Sequence, residues 1–348
     1  MITAAPVPMQ QAQPRRWQAL WRDAVRDPRE LLALLGLERL GAQLSDAAAA
    51  QFPLRVPRSF VARMRPGDPS DPLLRQVLPV LEEDRIVPGF GLDAVGDGAA
   101  RRGSGVIHKY NGRALLIATG SCAVNCRYCF RRHYPYADGT AAAAGWRDAV
   151  ALIASDASIH EVILSGGDPL SLADHKLTTL TDALRDVPHL RRLRLHSRLP
   201  IVLPERIDAG LLAWLRGLPW PVAIVVHANH ANEFDPGVDA AMAALRMAGA
   251  TLLNQAVLLR GVNDSIDALA DLCERGHQAG VLPYYLHQLD RVAGAAHFEV
   301  ADDDALALHG ALSARLPGYL VPRLVREIAG EPGKTPLRPQ PGGGAPAG

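Results

Sequence analysis

From residue 114 onward, short runs rich in apolar and β-branched residues alternate with stretches whose apolar positions recur at helical spacing. The runs are Ala114–Thr119, Glu161–Ser165, Leu190–His196, Val222–His227, Thr251–Leu259 and Leu282–Leu289. After the first pair they return about every 30 residues. Helical patterns lie between them at Trp146–Ala154, Lys176–Arg185, Ile207–Leu215, Asp239–Ala248 and Ile266–Ala279. This rhythm predicts repeated β-α units around a parallel sheet. Right-handed crossovers then place every helix on one side of a curving sheet. Six units fall short of the eight of a closed barrel. The reading is therefore an α/β fold, a partial, open parallel β/α barrel of about six units; a doubly wound open sheet is the alternative. In both, function gathers at the carboxyl ends of the strands.

Before the barrel, Trp17, Leu20, Trp21, Val25, Leu31, Leu32 and Leu35 follow a helical period, and Pro28 suits the first turn of a second helix. Residues 53–105 are rich in Pro, Gly and Asp, with one short helical piece near Leu73–Leu78. The chain divides into a disordered arm and helical N-terminal region (1–105), the barrel (106–337) and a disordered tail (338–348).

Composition narrows the function. Apolar residues make up 48% of the 348, enough for a substantial core, and the formal net charge is +1. No global field points to nucleic acid or a membrane surface. No apolar stretch reaches the roughly 18 residues of a membrane span, and the N-terminus lacks a signal-peptide core. A cytoplasmic location is expected. Four cysteines in a chain of this length are no disulfide framework.

Three of them fall in Gly120-Ser-Cys122-Ala-Val-Asn-Cys126-Arg-Tyr-Cys129-Phe-Arg131, directly after the first strand. Three thiolates in one loop can hold three irons of a [4Fe–4S] cluster and leave the fourth open. S-adenosylmethionine can chelate an open iron, and an electron from the cluster then cleaves its sulfur–carbon bond to a 5′-deoxyadenosyl radical. A zinc site with His133 as fourth ligand is the alternative. The CxxxCxxC spacing at a strand end resembles the radical S-adenosylmethionine superfamily. Cys273 sits alone in a helical pattern and reads as a core residue. The second strand ends in Ser165-Gly166-Gly167-Asp168-Pro169. It resembles the superfamily's glycine-rich segment that contacts the amino group of S-adenosylmethionine; a simple turn is the alternative.

Near the end stands Glu327-Ile-Ala-Gly330-Glu-Pro-Gly333-Lys334-Thr-Pro336, after a further predicted strand at Tyr319–Ile328. A loop folded back over the barrel mouth would let Lys334 form a Schiff base with pyridoxal phosphate. Six segments, in order, are similar to the lysine 2,3-aminomutase family. They are Gly112–Leu116, Cys122–Arg132, Leu164–Asp168, Asn254–Asp264, Pro283–Tyr285 and Gly333–Pro336. The wording of Arg127–Tyr136 most resembles the branch that makes β-lysine for modifying elongation factor P.

The resemblance implies isomerisation of L-lysine to β-lysine, with Lys334 carrying pyridoxal phosphate and Arg113 binding its phosphate. It implies that Arg131 clamps the substrate carboxylate, and that Asp290 and Glu327 read the distal ammonium. Glu327 stands where the family's lysine mutases carry aspartate. Ser165, Gly166, Gly167 and Asp168 would contact S-adenosylmethionine. His227, Asn229 and Gln255 would do so as well, with core roles as the alternative. Also implied are an electron donor such as flavodoxin or ferredoxin, and a functional link to elongation factor P and its ligase. The family's longer members carry a C-terminal zinc segment, not expected here because no cysteine follows Cys273. Oligomeric state stays open, a homo-oligomer included. Another amino acid as substrate, or β-lysine made for another purpose, is the alternative.

Overall fold

The computed structural model describes residues 16–103, 105–136, 141 and 146–338, so the expected arm and tail fall almost wholly outside the described residues. The N-terminal region contains α1 (Arg16–Arg22), α2 (Pro28–Leu34), α3 (Asp46–Gln51), α4 (Arg58–Val61) and α5 (Pro72–Arg75). An Asp-Pro pair starts two of them. Pro28 and Pro72 sit in the first turn, where no N–H is needed. Asp27 and Asp71 accept from the free backbone N–H groups that follow. The piece expected near Leu73–Leu78 is α5, but α4 and a turn at Leu81–Asp84 are additional. Four-residue elements are too short to show a period.

The sheet comprises β1 (Arg101–Arg102), β2 (Val106–Tyr110), β3 (Arg113–Thr119), β4 (Glu161–Gly166), β5 (Arg192–Ser197), β6 (Val222–Val226), β7 (Thr251–Val257), β8 (Leu282–His287), β9 (Arg323–Arg326) and β10 (Thr335–Pro336). Its spatial order equals its sequence order. Strands β3 to β9 pair in parallel, each with the next. β1, β2 and β10 add antiparallel at the flanks. The crossovers carry α6 (Arg147–Ser155), α7 (Asp174–Arg185), α8 (Leu199–Val202) with α9 (Ala209–Arg216), α10 (Pro236–Met247), α11 (Ile266–Gln278) and α12 (Asp302–Arg315). Six β-α units result, and the two outer strands do not pair. A doubly wound sheet would reverse its strand order at a switch point; this one never does, so it is an open partial barrel.

Side chains alternate along the strands as a pleated sheet requires. On β5 and β7, Leu193, Leu195, Leu252 and Ala256 pack outward into the core under the helices. Arg194, His196, Gln255 and Val257 face the barrel interior. One hydrophobic core runs from Trp17, Leu31, Phe60 and Leu73 to Leu164, Leu195 and Leu245. The N-terminal helices thus complete the barrel's core and do not form their own. Polar contacts fix the same seam: Ser59 Oγ donates to Val202 O at 3.0 Å and Arg63 Nη2 to Ile201 O at 2.8 Å. Among the described residues no helix is long and apolar enough to cross a membrane.

Candidate active site

The barrel interior holds a cavity of about 330 Å³. The residues to which the favoured reading gives a role in the site all line it: Arg113, Cys122, Cys126, Cys129, Arg131, Ser165, Gly166, Gly167, Asp168, His227, Asn229, Gln255, Asp290, Glu327 and Lys334. Most stand at or just past the carboxyl ends of parallel strands; Arg113, at the start of β3, and Gln255, within β7, carry the cavity deeper into the barrel.

The cysteine loop follows β3 and is seated on the N-terminal region. Arg127 is fully buried and forks onto Glu83, Nε to Oε1 at 2.8 Å and Nη2 to Oε2 at 2.6 Å. Arg132 Nη2 donates to the same Oε2 at 2.7 Å. Asn125 Nδ2 donates to Pro53 O at 2.8 Å, and Arg55 Nη1 to Cys122 O at 3.2 Å. On its other side the loop lies against the end of β4. Gly167 N donates to Thr119 O and Asp168 N to Ser121 O, both at 2.7 Å. A Cβ on Gly166 would come within 2.6 Å of Thr119 O, and one on Gly167 within 2.4 Å of Ser121 O. The glycine pair is therefore required by the approach of two backbones.

All four cysteines are free, and Cys273 is buried in α11, as expected of a core residue. Burial, then the neighbouring thiols, pushes the Cys122 thiol up, and Cys129 is pushed up to about 11. Iron would override this by binding the thiolate. Among the described residues no three His, Cys, Asp or Glu side chains are grouped to hold a single metal ion. His133 is turned away from the zinc alternative, its Nε2 lying 3.0 Å from Ala293 O.

The Asp168 carboxylate is engaged within the protein. Its Oδ1 accepts from Ser197 Oγ at 2.7 Å and Leu170 N at 3.0 Å; its Oδ2 accepts from Arg198 N at 2.8 Å and Leu199 N at 3.0 Å. The carboxylate caps two loops, as Asp before Pro169 can. Asn229 is likewise engaged, accepting from Val257 N at 2.9 Å and donating to Gln76 at 2.9 Å. His227 Nε2 lies 3.3 Å from His196 Nδ1, and burial depresses it to about 4, so the ring is neutral.

Around Lys334 the geometry comes from a hairpin. β9 and β10 pair antiparallel, which brings Lys334, just before β10, onto Glu327, just after β9. Lys334 Nζ donates to Glu327 Oε2. Glu327 Oε1 accepts from Tyr110 OH at 2.5 Å. Burial raises the Glu327 carboxyl, but Lys334 and these bonds outweigh it and hold it below the ordinary range. Asp290 is different: its Oδ1 is sealed without a partner, and burial pushes the carboxyl up to about 7. His287 beside it is buried and neutral, its Nε2 also unpartnered. Arg113 lies over the Tyr110 ring at 4.6 Å.

Several residues of the site had no local signal. Asp97 bridges Lys109 Nζ and Arg131 Nε, each at 2.7 Å, and Arg131 Nη1 donates to Ser165 Oγ at 3.2 Å. Burial raises Asp97, yet the two cations hold it below the usual carboxylate range. Arg198, buried at the end of β5, donates to the Cys126 sulfur.

No protein-family model matches the chain. The chain is 50% identical to the L-lysine 2,3-aminomutase of Escherichia coli K12, over 92% of this chain and 94% of that protein. It is 44% identical to the L-lysine 2,3-aminomutase of Haemophilus influenzae, over 92% and 95%. Among solved structures, a radical SAM methyltransferase from Sphaerobacter thermophilus superposes with a TM-score of 0.42 at 17% identity, covering 64% of this chain and 68% of that one.

Proposed function

As this chain belongs to the lysine 2,3-aminomutase family, we propose that it isomerises L-α-lysine to β-lysine by a radical 1,2-amino shift, using a [4Fe–4S] cluster, S-adenosylmethionine and pyridoxal phosphate. One observation carries this reading beyond the family. A single cavity is lined both by three free thiols and by a lysine amine held against a carboxylate. The donor set fits a cluster with one iron open to a small molecule. Lys334, with Arg113 facing the same space, fits a phosphorylated aldehyde. When bound, these groups supply the radical and a conjugated system able to stabilise an adjacent one.

The chain's own residues do the rest. Glu327 holds the Lys334 amine at the cavity wall. Asp97 and Ser165 fix the Arg131 guanidinium through Nε and Nη1, so its remaining edge is oriented toward a substrate carboxylate. Asp290 and Glu327 present two acids to the distal ammonium, which favours lysine over glutamate. Closure of the site must exclude water and oxidants, because an exposed radical would be quenched.

The finer assignments are part of this proposal. The wording of Arg127–Tyr136 supports β-lysine production for modification of elongation factor P, with a separate ligase using the product. The electron would come from a flavodoxin or ferredoxin. Free thiols suit the reducing cytoplasm. The test is an anaerobic assay of the reconstituted, reduced chain with L-lysine, L-arginine and L-glutamate, read by mass spectrometry. β-Lysine from L-lysine alone is expected. Turnover of another amino acid reassigns the substrate, and no turnover by cluster-loaded protein overturns the proposal.

A further inference from the structure

Arg198 follows β5 directly and sends its guanidinium into the cysteine loop. Nη1 donates to the Cys126 sulfur and, at 2.7 Å, to the Tyr128 hydroxyl. Nη2 donates to Glu233 Oε2 at 2.9 Å and Gln76 Oε1 at 2.7 Å. Glu233 is fully buried, and its Oε1 accepts from Asn229 N at 2.8 Å and Gln76 Nε2 at 3.2 Å. The capping carboxylate of Asp168 fixes the Arg198 backbone at 2.8 Å. A buried cation thus touches one of the three sulfurs, and its counter-ion is bound through the other nitrogen of the fork. Neither residue has a part in the isomerisation as outlined above.

We propose that Arg198 and Glu233 form a charge pair that sets the reduction potential of the cluster held by Cys126; this rests on the cluster reading of the site. Reduction adds one electron to the cluster and moves no proton. A cation bonded to a ligand sulfur stabilises that added charge and draws density from the sulfur, and both effects raise the potential. Glu233 opposes them from one side chain further away, where its influence is smaller but of opposite sign. The pair therefore places the cluster between two failures: a cluster too hard for a cellular donor to reduce, and one too weakly reducing to cleave a sulfonium.

The experiment is an electrochemical titration of the full chain, reconstituted anaerobically, with the reduced cluster followed by electron paramagnetic resonance. Arg198→Gln keeps an N–H donor and removes the charge; Glu233→Gln keeps the shape and leaves Arg198 uncompensated. The expected order of midpoint potential is Glu233→Gln above wild type above Arg198→Gln. Arg198→Lys should lie nearer wild type than Arg198→Gln. A purely structural role would lower cluster content without moving potentials in opposite directions. Arg198→Gln at or above wild type, or Glu233→Gln at or below it, overturns the proposal. If one variant assembles no cluster, the other decides; if neither does, the pair is structural and the proposal fails. A wild-type chain without iron overturns the cluster reading itself, and iron analysis distinguishes that case.

Discussion

Replacing Asp290 by asparagine should make the protein more stable while impairing its function. The carboxyl stands just past β8 with Oδ1 sealed and unpartnered, and burial pushes it up to about 7, with Lys334 pulling down and Glu327 pushing up. An unfolded aspartate titrates near about 3.9. Between those values the folded chain keeps a proton that the unfolded chain has released. Stability contributed by this group therefore falls as pH rises from about 4 to 7, and the penalty is complete above that window. Three units correspond to about 4 kcal/mol. Part of the side chain faces the cavity and is screened, which reduces the figure to about 2–3 kcal/mol. Asp290→Asn removes the titration and keeps the shape. Urea unfolding of the reduced, metal-free chain by circular dichroism, at steps from pH 5 to 8, measures it. The variant should gain about 2 kcal/mol at pH 8, and the gain should shrink toward pH 5. Turnover should show a lysine KM raised on the order of tenfold or more, since an amide leaves the ammonium uncompensated. No gain at pH 8, or an equal gain at both ends, refutes the reasoning.

Glu83→Ala strips two buried arginines of their shared carboxylate; about 3–5 kcal/mol should be lost in urea unfolding, together with iron content, because the cysteine loop hangs on those arginines. Gly167→Ala drives a Cβ to 2.4 Å from Ser121 O, a backbone atom that cannot yield alone; about 1–3 kcal/mol of stability and most cluster occupancy should go, read by urea unfolding and iron analysis. The wild type should give a borohydride-trapped pyridoxal phosphate adduct by mass spectrometry and Lys334→Ala should give none; a surviving adduct would reassign the anchoring lysine.

The strands were legible because their apolar runs are continuous and evenly spaced, and all six fall within two residues of their expected bounds. Helix α12 was missed: only Ala305 and Leu312 of it are buried, too few for a visible stripe. Strands β1, β2 and β10 were missed because two are dipeptides and β2 ends in Lys109 and Tyr110, which serve the site and break the apolar pattern. Some candidate residues were legible in local motifs: cysteines at fixed spacing, a glycine pair, a lysine among glycines and prolines; Arg113, Arg131, Asp290 and Glu327 were reached only through the family resemblance. Those it hid act at a distance. Asp97 meets Arg131 across 34 residues, and Arg198 meets Cys126 across 72. Nothing near either in the chain marks the pairing, which only folding creates. Asp168 carried a signal that was available, since an aspartate before a proline marks a cap, and Asp27-Pro28, Asp71-Pro72 and Asp235-Pro236 do the same work elsewhere.

The central claim is that the polypeptide supplies three ligands to a four-iron cluster and leaves one iron for a small molecule. Mössbauer spectroscopy of chain reconstituted with iron-57, recorded before and after adding S-adenosylmethionine, tests it most directly. The account predicts about four irons per chain, one of which changes its signal when the sulfonium is added. A spectrum indifferent to S-adenosylmethionine, or a metal fully ligated by protein, would contradict it.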